Sequence, residues 1–271
     1  MRPTAVRRTA LAACAASLAL LAAACGGSER GGGAEDKPKA GATASTGPAD
    51  TAKTPAELEK LVLATGDVEG HKVEELGPGD STPAKDVSAD KKECEPIAYA
   101  QLGVPIGDPA ATVQRMVTQE PEKPQETGTA GSGEITEEDI KDFEEAIESS
   151  FDVTATMLSL SSYGSGGAEK AAADLSAAAE ACSGGFAGGV RGEPQKVTGI
   201  TKEDKVTGGD EAFAWTVTTE QEGESVPLKL AVVRKGDTLA VFSSFNFAAA
   251  GGGKDFAFPT EVIDAQTEKL G

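Results

Sequence analysis

The chain has few of the side chains on which enzymes and metal sites depend. Its 271 residues include 1 histidine and 4 cysteines, and it contains no G-x-S-x-G, H-E-x-x-H, G-x-G-x-x-G or P-loop motif. The histidine, His71, lies in the polar stretch Glu69–Lys72, and we interpret it as an exposed residue at the start of a strand rather than as a catalytic base. A zinc site needs more Cys and His ligands than the chain offers. We therefore predict no catalytic residue, no metal ligand and no cofactor.

Basic and aromatic residues are also scarce. Lys and Arg number 25 against 44 Asp and Glu, which gives a formal net charge of -19. A protein this acidic is repelled by phosphate backbones, so we exclude nucleic acid as a partner. Phe, Trp and Tyr make up 4% of the chain, so the core must be built mainly from Ala, Val and Leu.

The first 24 residues have the pattern of an export signal. Three arginines precede the uncharged Ala/Leu-rich run Thr9–Ala24, which is too short to span a membrane. The run ends in Ala22-Ala23-Ala24-Cys25, which resembles the lipobox of bacterial lipoproteins. The resemblance implies that Cys25 receives fatty acyl chains, becomes the first mature residue and anchors the protein at the outer face of the cell membrane. The alternative is an ordinary signal peptide cleaved near Ala24, which would release a soluble secreted protein.

Two further cysteines remain once the signal is removed. Cys14 leaves with residues 1–24 and Cys25 is assigned to lipid, so Cys94 and Cys182 form an even pair in an oxidising compartment. Such pairs usually form a disulfide bond. Two free thiols are the alternative.

The composition divides the mature chain into a tether and one domain. Residues 25–53 hold Gly, Pro, small residues and scattered charge, which predicts a disordered tether. Residues 54–271 are predicted to form a single extracytoplasmic domain, with a flexible loop near residues 120–135. Helices are predicted from Thr54, over Cys94–Leu102, from Thr136 and over the alanine-rich stretch that ends at Cys182, and strands over Ala111–Gln119 and Phe151–Ser161.

In the C-terminal part of the domain, apolar residues recur at every second position. After a glycine-rich break at Gly184–Gly192, alternating segments near residues 197–205, 213–217, 226–232 and 239–245 are separated by short turns. A last helix is predicted from Pro259. The fold class is therefore α+β, an antiparallel sheet with a C-terminal strand meander and helices mainly on one face. We interpret Phe242 as a core residue, with a pocket position as the alternative.

The whole layout resembles a known kind of domain. A tether leads into a helix with the sequence Leu58-Glu59-Lys60-Leu61, a cysteine opens a short helix, an alanine-rich helix ends at a second cysteine, and a meander follows. This order is similar to the sensor-like extracytoplasmic domains of actinobacterial lipoproteins and of some actinobacterial transmembrane serine/threonine kinases. The resemblance implies an α+β fold with a cleft for an unknown ligand. Those kinase domains often have two disulfides, whereas this domain has cysteines for one.

Three functions follow, in decreasing order of support. The first is a membrane-anchored, non-catalytic ligand-binding or sensor-like module of the cell envelope. The second is a protein-interaction or assembly scaffold in the envelope. The third is a wall hydrolase that uses only carboxylates, with the glutamate-rich run near Glu137 and Glu145 as its only sequence support.

Overall fold

A nine-stranded antiparallel sheet organises the protein. The computed structural model describes residues 52–77, 79–121, 136, 140–141, 152–221, 223–250 and 255–271. Cys25, the predicted signal, nearly all of the predicted tether and most of the loop near residues 120–135 lie outside these residues. Within the described ranges, no helix is long and apolar enough to cross a membrane.

The last five of the nine strands follow one another closely along the chain, whereas longer segments separate the first five. The nine strands are β1 (His71–Glu75), β2 (Val87–Ala89), β3 (Ala111–Gln119), β4 (Thr154–Ser162), β5 (Phe186–Val190), β6 (Glu193–Glu203), β7 (Glu211–Gln221), β8 (Glu224–Lys235) and β9 (Thr238–Asn246). Their order across the sheet is β1-β3-β4-β9-β8-β7-β6-β5-β2. The helices are α1 (Pro55–Leu61), α2 (Glu95–Gln101), α3 (Gly167–Ala181), α4 (Phe247–Ala250) and α5 (Thr260–Leu270).

The sheet has an apolar core on each side. Face A carries Trp215, Leu230 and Val241 and packs against α2 and α3. Face B carries Leu158 and Phe242 and packs against α1 and α5. The α+β class and the strand meander are confirmed, but the helices, expected mainly on one face, are divided between the two.

The reason for this difference lies in β8 and β9. Leu230–Val233 and Leu239–Phe242 are unbroken apolar runs, and every residue in them is buried. Unbroken runs indicate strands that are covered on both sides, whereas strict alternation indicates one covered side. Phe242 is fully buried on face B, so its interpretation as a core residue is confirmed.

The glycine-rich break predicted at Gly184–Gly192 is wrong in part, because it contains β5. This strand pairs with β6 on one side and with β2 on the other. A side chain at Gly188 would collide with the carbonyl oxygen of Ser88. The glycine is there because β2 approaches β5 closely, and not because the chain turns.

Cys94 and Cys182 form a disulfide bond in the core of face A. Cys94 directly precedes α2 and Cys182 directly follows α3, with their Cα atoms 5.9 Å apart. Both residues are at most 1% exposed. The bond therefore joins the two helices that cover face A.

Candidate functional site

A groove of about 570 Å³ lies on face B, where the ends of four neighbouring strands meet the segment that leads into α5. One residue from each strand faces the groove, in the order β1, β3, β4, β9 across the sheet. We call these four residues the outer row: His71, Gln119, Thr154 and Asn246. Asp152 and residues 255–261 complete the lining.

Asn246 fixes the geometry of the outer row. Its side-chain nitrogen donates hydrogen bonds to Asp152 Oδ1 at 2.8 Å and to Thr154 Oγ1 at 3.1 Å. Its side-chain oxygen accepts a hydrogen bond from the backbone N–H of Ala249 at 3.0 Å. Asn246 is 3% exposed. A buried amide with this many partners has one orientation, so the polar groups around it are held in place before any ligand arrives.

A second row of polar side chains crosses face B on β4, β9, β8 and β7, and on β4 and β9 it lies one position further along the face than the outer row. We call it the inner row: Thr156, Ser244, Lys229 and Thr216. Thr156 and Ser244 are hydrogen-bonded to each other at 2.9 Å, and each is 1% exposed. These positions are in phase with the apolar core of face B. Polar residues therefore take the place of apolar ones at these positions, and their hydrogen bonds offset the cost of burying them.

Lys229 is the most unusual member of the inner row. Its side chain is 3% exposed, and its ammonium group donates to Asp255 Oδ1 at 2.6 Å and to Thr216 Oγ1 at 3.0 Å. The rings of Phe256 and Phe258 lie 5.6 Å and 5.2 Å from the ammonium nitrogen, which is cation–π distance. These contacts hold the groove wall, residues 255–259, against the sheet.

The charge around the groove is mainly negative. Asp152, Asp255 and Glu261 line it, and Lys229 lies behind the wall. The hydrogen bond from Lys229 lowers the pKa of Asp255 below its ordinary value, with a smaller contribution from the charge of the same ammonium group. Asp255 is therefore ionised at neutral pH and below it.

The residues singled out in the sequence are distributed unevenly around this site. His71 is the first residue of β1, as predicted, and lines the groove. The Cys94–Cys182 bond belongs to the core of face A and is not part of the groove. Cys25 and the glutamates near residue 137 lie outside the described residues. In the part of the chain that is described, no group of three or more Cys, His, Asp and Glu side chains is placed to hold a metal ion.

The resemblance implies a cleft, but the sequence predicts neither the position of the groove nor its lining. Its floor comes from four strands that are far apart along the chain, so no local motif marks it. One signal was available: Lys229 occupies the same phase of β8 as Ala231 and Val233, where an apolar residue is expected. Phe256 and Phe258 line the groove, and Phe258 also packs against the apolar core of face B.

Comparison with known proteins gives similarity of fold only. No protein-family model matches the sequence, and no curated protein matches it. The extracellular domain of PknH from Mycobacterium tuberculosis is similar at 11% identity and a TM-score of 0.46, over 81% of this chain and 95% of that one. An uncharacterised protein from Mycobacterium smegmatis is similar at 10% identity and a TM-score of 0.31, over 74% of this chain and 90% of that one. No functional residue is transferred from either protein.

Proposed function

We propose that the protein is a non-catalytic ligand-binding module of the cell envelope, and that the groove on face B is its binding site. The observation that carries the proposal is the outer row of polar side chains, which faces a groove of about 570 Å³. Ligand sites typically have volumes of about 300–1,000 Å³ and combine a few fixed polar groups with apolar walls. Here the outer row supplies the polar groups, and Phe256 and Phe258 supply the apolar wall.

The lining indicates a small polar ligand with several hydrogen-bonding groups. Gln119 offers its side-chain nitrogen as a donor, since its oxygen accepts a hydrogen bond from the backbone N–H of Thr154 at 3.4 Å. Thr154 offers a hydroxyl group and Asp152 an acceptor. Asp255 is unsuited to act as the acid in the wall-hydrolase alternative. A glycoside hydrolase needs a carboxylic acid that keeps its proton near neutral pH, and Asp255 is held in its ionised form by Lys229.

A scaffold function has less structural support than ligand binding in the groove. A contiguous exposed apolar patch larger than several hundred Å² marks a docking surface on a protein. Over the residues described here, the large apolar side chains that are strongly exposed are those of Ile140 and Phe247, at 50% and 51%. Two such side chains do not make a patch of that size.

A ligand found by thermal-shift screening of envelope metabolites and wall fragments should depend on Gln119. We expect Gln119→Ala to weaken binding by about tenfold, because one or two hydrogen bonds to the ligand are lost. The measurement is the dissociation constant, by isothermal titration calorimetry on the full-length protein.

Gln195→Ala is the matched control, since Gln195 is a half-buried glutamine of β6. This strand lies three strands away from β9, toward the edge of the sheet opposite the groove. The control variant should bind like the wild type. Equal affinities for wild type and Gln119→Ala across all the ligands found, or a screen with no ligand at all, would contradict the proposal.

The proposal includes a lipid anchor on Cys25. We expect the wild-type protein to sediment with membranes, because two acyl chains anchor a protein stably. Cys25→Ser has no thiol to acylate, so we expect it either as a cleaved soluble protein or as a precursor that keeps its signal peptide. Mass spectrometry of the mature N-terminal peptide checks this directly. A wild-type peptide that begins with an unmodified Cys25 would leave an ordinary secreted protein as the correct description.

A further inference from the structure

Burying the charged side chain of Lys229 costs free energy, and the fold does not need a charged residue at this position. Its neighbours in phase on β8 are Ala231 and Val233, which belong to the core of face B. An ammonium group buried there loses its hydration, and it is stable only when acceptors replace the lost water. An apolar side chain would fill the same position without this cost, so the charge itself calls for a reason.

Few hydrogen-bond acceptors surround Lys229, and one of them, Asp255, lies outside the sheet. Thr216 is the acceptor on the sheet. Its hydroxyl hydrogen is donated to Glu203 Oε1 at 2.8 Å, which leaves its oxygen free to accept from Lys229. The other acceptor is Asp255. An ammonium group has three donors, and across the described residues Lys229 has these two acceptors.

Asp255 is placed as an exchangeable counter-ion. Its side chain is 73% exposed, whereas that of Lys229 is 3% exposed. It lies on the groove wall, in a segment with no regular secondary structure, and it lines the groove. The carboxylate therefore contacts both the buried ammonium group and the groove, whereas Lys229 itself does not line the groove.

We propose that Lys229 binds a carboxylate group of the ligand. In the ligand-free protein the carboxylate of Asp255 pairs with Lys229, and the ligand's carboxylate replaces it. The inference rests on the proposed function, because it concerns the same groove. The ligand class is a small organic acid with hydroxyl or amide groups. Its carboxylate contacts Lys229, and its neutral polar groups contact the outer row.

The charge of the groove favours a carboxylate over a phosphate. A single ammonium group matches a monoanion. Asp152 and Glu261 also line the groove, and they would repel a dianion more strongly than a carboxylate. Arginine, the residue that usually holds phosphate in a bidentate manner, is absent from the described lining of the groove.

The test removes the carboxylate of Asp255 and supplies another carboxylate, acetate, from solution. Full-length Asp255→Ala is heated in sodium acetate and in sodium chloride at equal ionic strength. We expect acetate to raise the melting temperature of Asp255→Ala by roughly 3–6 °C at about ten times its dissociation constant, because it binds the folded state alone. The wild type should respond much less, since Asp255 competes with acetate. The double variant Asp255→Ala/Lys229→Met should show no acetate-specific shift.

Asp255→Asn provides a second variant in case Asp255→Ala does not fold, because its amide oxygen still accepts a hydrogen bond from Lys229. It too should be stabilised by acetate over chloride. Acetate that stabilises neither variant more than chloride does, or that stabilises the double variant equally, would overturn the inference. A neutral ligand that depends on Gln119 would then leave the proposed function standing.

Discussion

Reduction of the Cys94–Cys182 bond is expected to lower the free energy of unfolding by about 4–5 kcal/mol. The bond closes a loop with a sequence separation of 88 residues, and a crosslink of that span removes much of the conformational freedom of the unfolded chain. The melting temperature should fall by roughly 10–15 °C for a domain of this size. Both cysteines are buried, so the reduced thiols gain no compensating contact with water.

Differential scanning calorimetry with and without a phosphine reductant measures this effect. The double variant Cys94→Ala/Cys182→Ala is the control, because the reductant has no bond to break in it and should leave its melting temperature unchanged. A wild-type melting temperature that stays the same after thiol labelling shows both cysteines to be reduced would contradict the prediction.

Gln266→Leu is expected to lower the free energy of unfolding by about 2–6 kcal/mol. Gln266 is fully buried on α5 and joins that helix to the end of α1. Its side-chain oxygen accepts from the backbone N–H of Leu63 at 3.0 Å, and its side-chain nitrogen donates to the carbonyl oxygen of Leu61 at 2.8 Å. Leucine has a similar volume but leaves both backbone groups without a partner, at about 1–3 kcal/mol each.

Urea unfolding, followed by circular dichroism, gives the difference in free energy. Glu268→Leu is the matched control, since Glu268 is exposed on the same helix and its replacement should change stability by no more than about 0.5 kcal/mol. If Gln266→Leu were as stable as this control, the two backbone hydrogen bonds would not be what holds α5 to α1.

Much of the fold could be predicted because its signals are local. The strand over Ala111–Gln119 has the predicted bounds, since alternating apolar residues and flanking turns define a strand without reference to its neighbours. The four strands of the C-terminal meander follow from the same period and from short turns. The helix at Pro55 follows from its capping box, in which Glu57 accepts a hydrogen bond from the backbone N–H of Thr54 at 2.8 Å.

The features that were missed depend on contacts between distant parts of the chain. Gly188 resembles a turn residue until β2 is placed beside it. The groove depends on the register of four strands, which brings His71, Gln119, Thr154 and Asn246 into one row. No spacing in the sequence encodes that row. Lys229 could have been noticed as a charge in an apolar phase, but its partner Asp255 and the groove beyond it require the fold.

Hydrogen exchange followed by mass spectrometry tests the binding site most directly. The full-length protein is compared with and without a ligand from the screen. The account predicts slower exchange at the groove ends of β1, β3, β4 and β9 and in residues 255–261, with face A unchanged. Protection confined to α2 and α3 on face A, or no protection at saturating ligand, would contradict it.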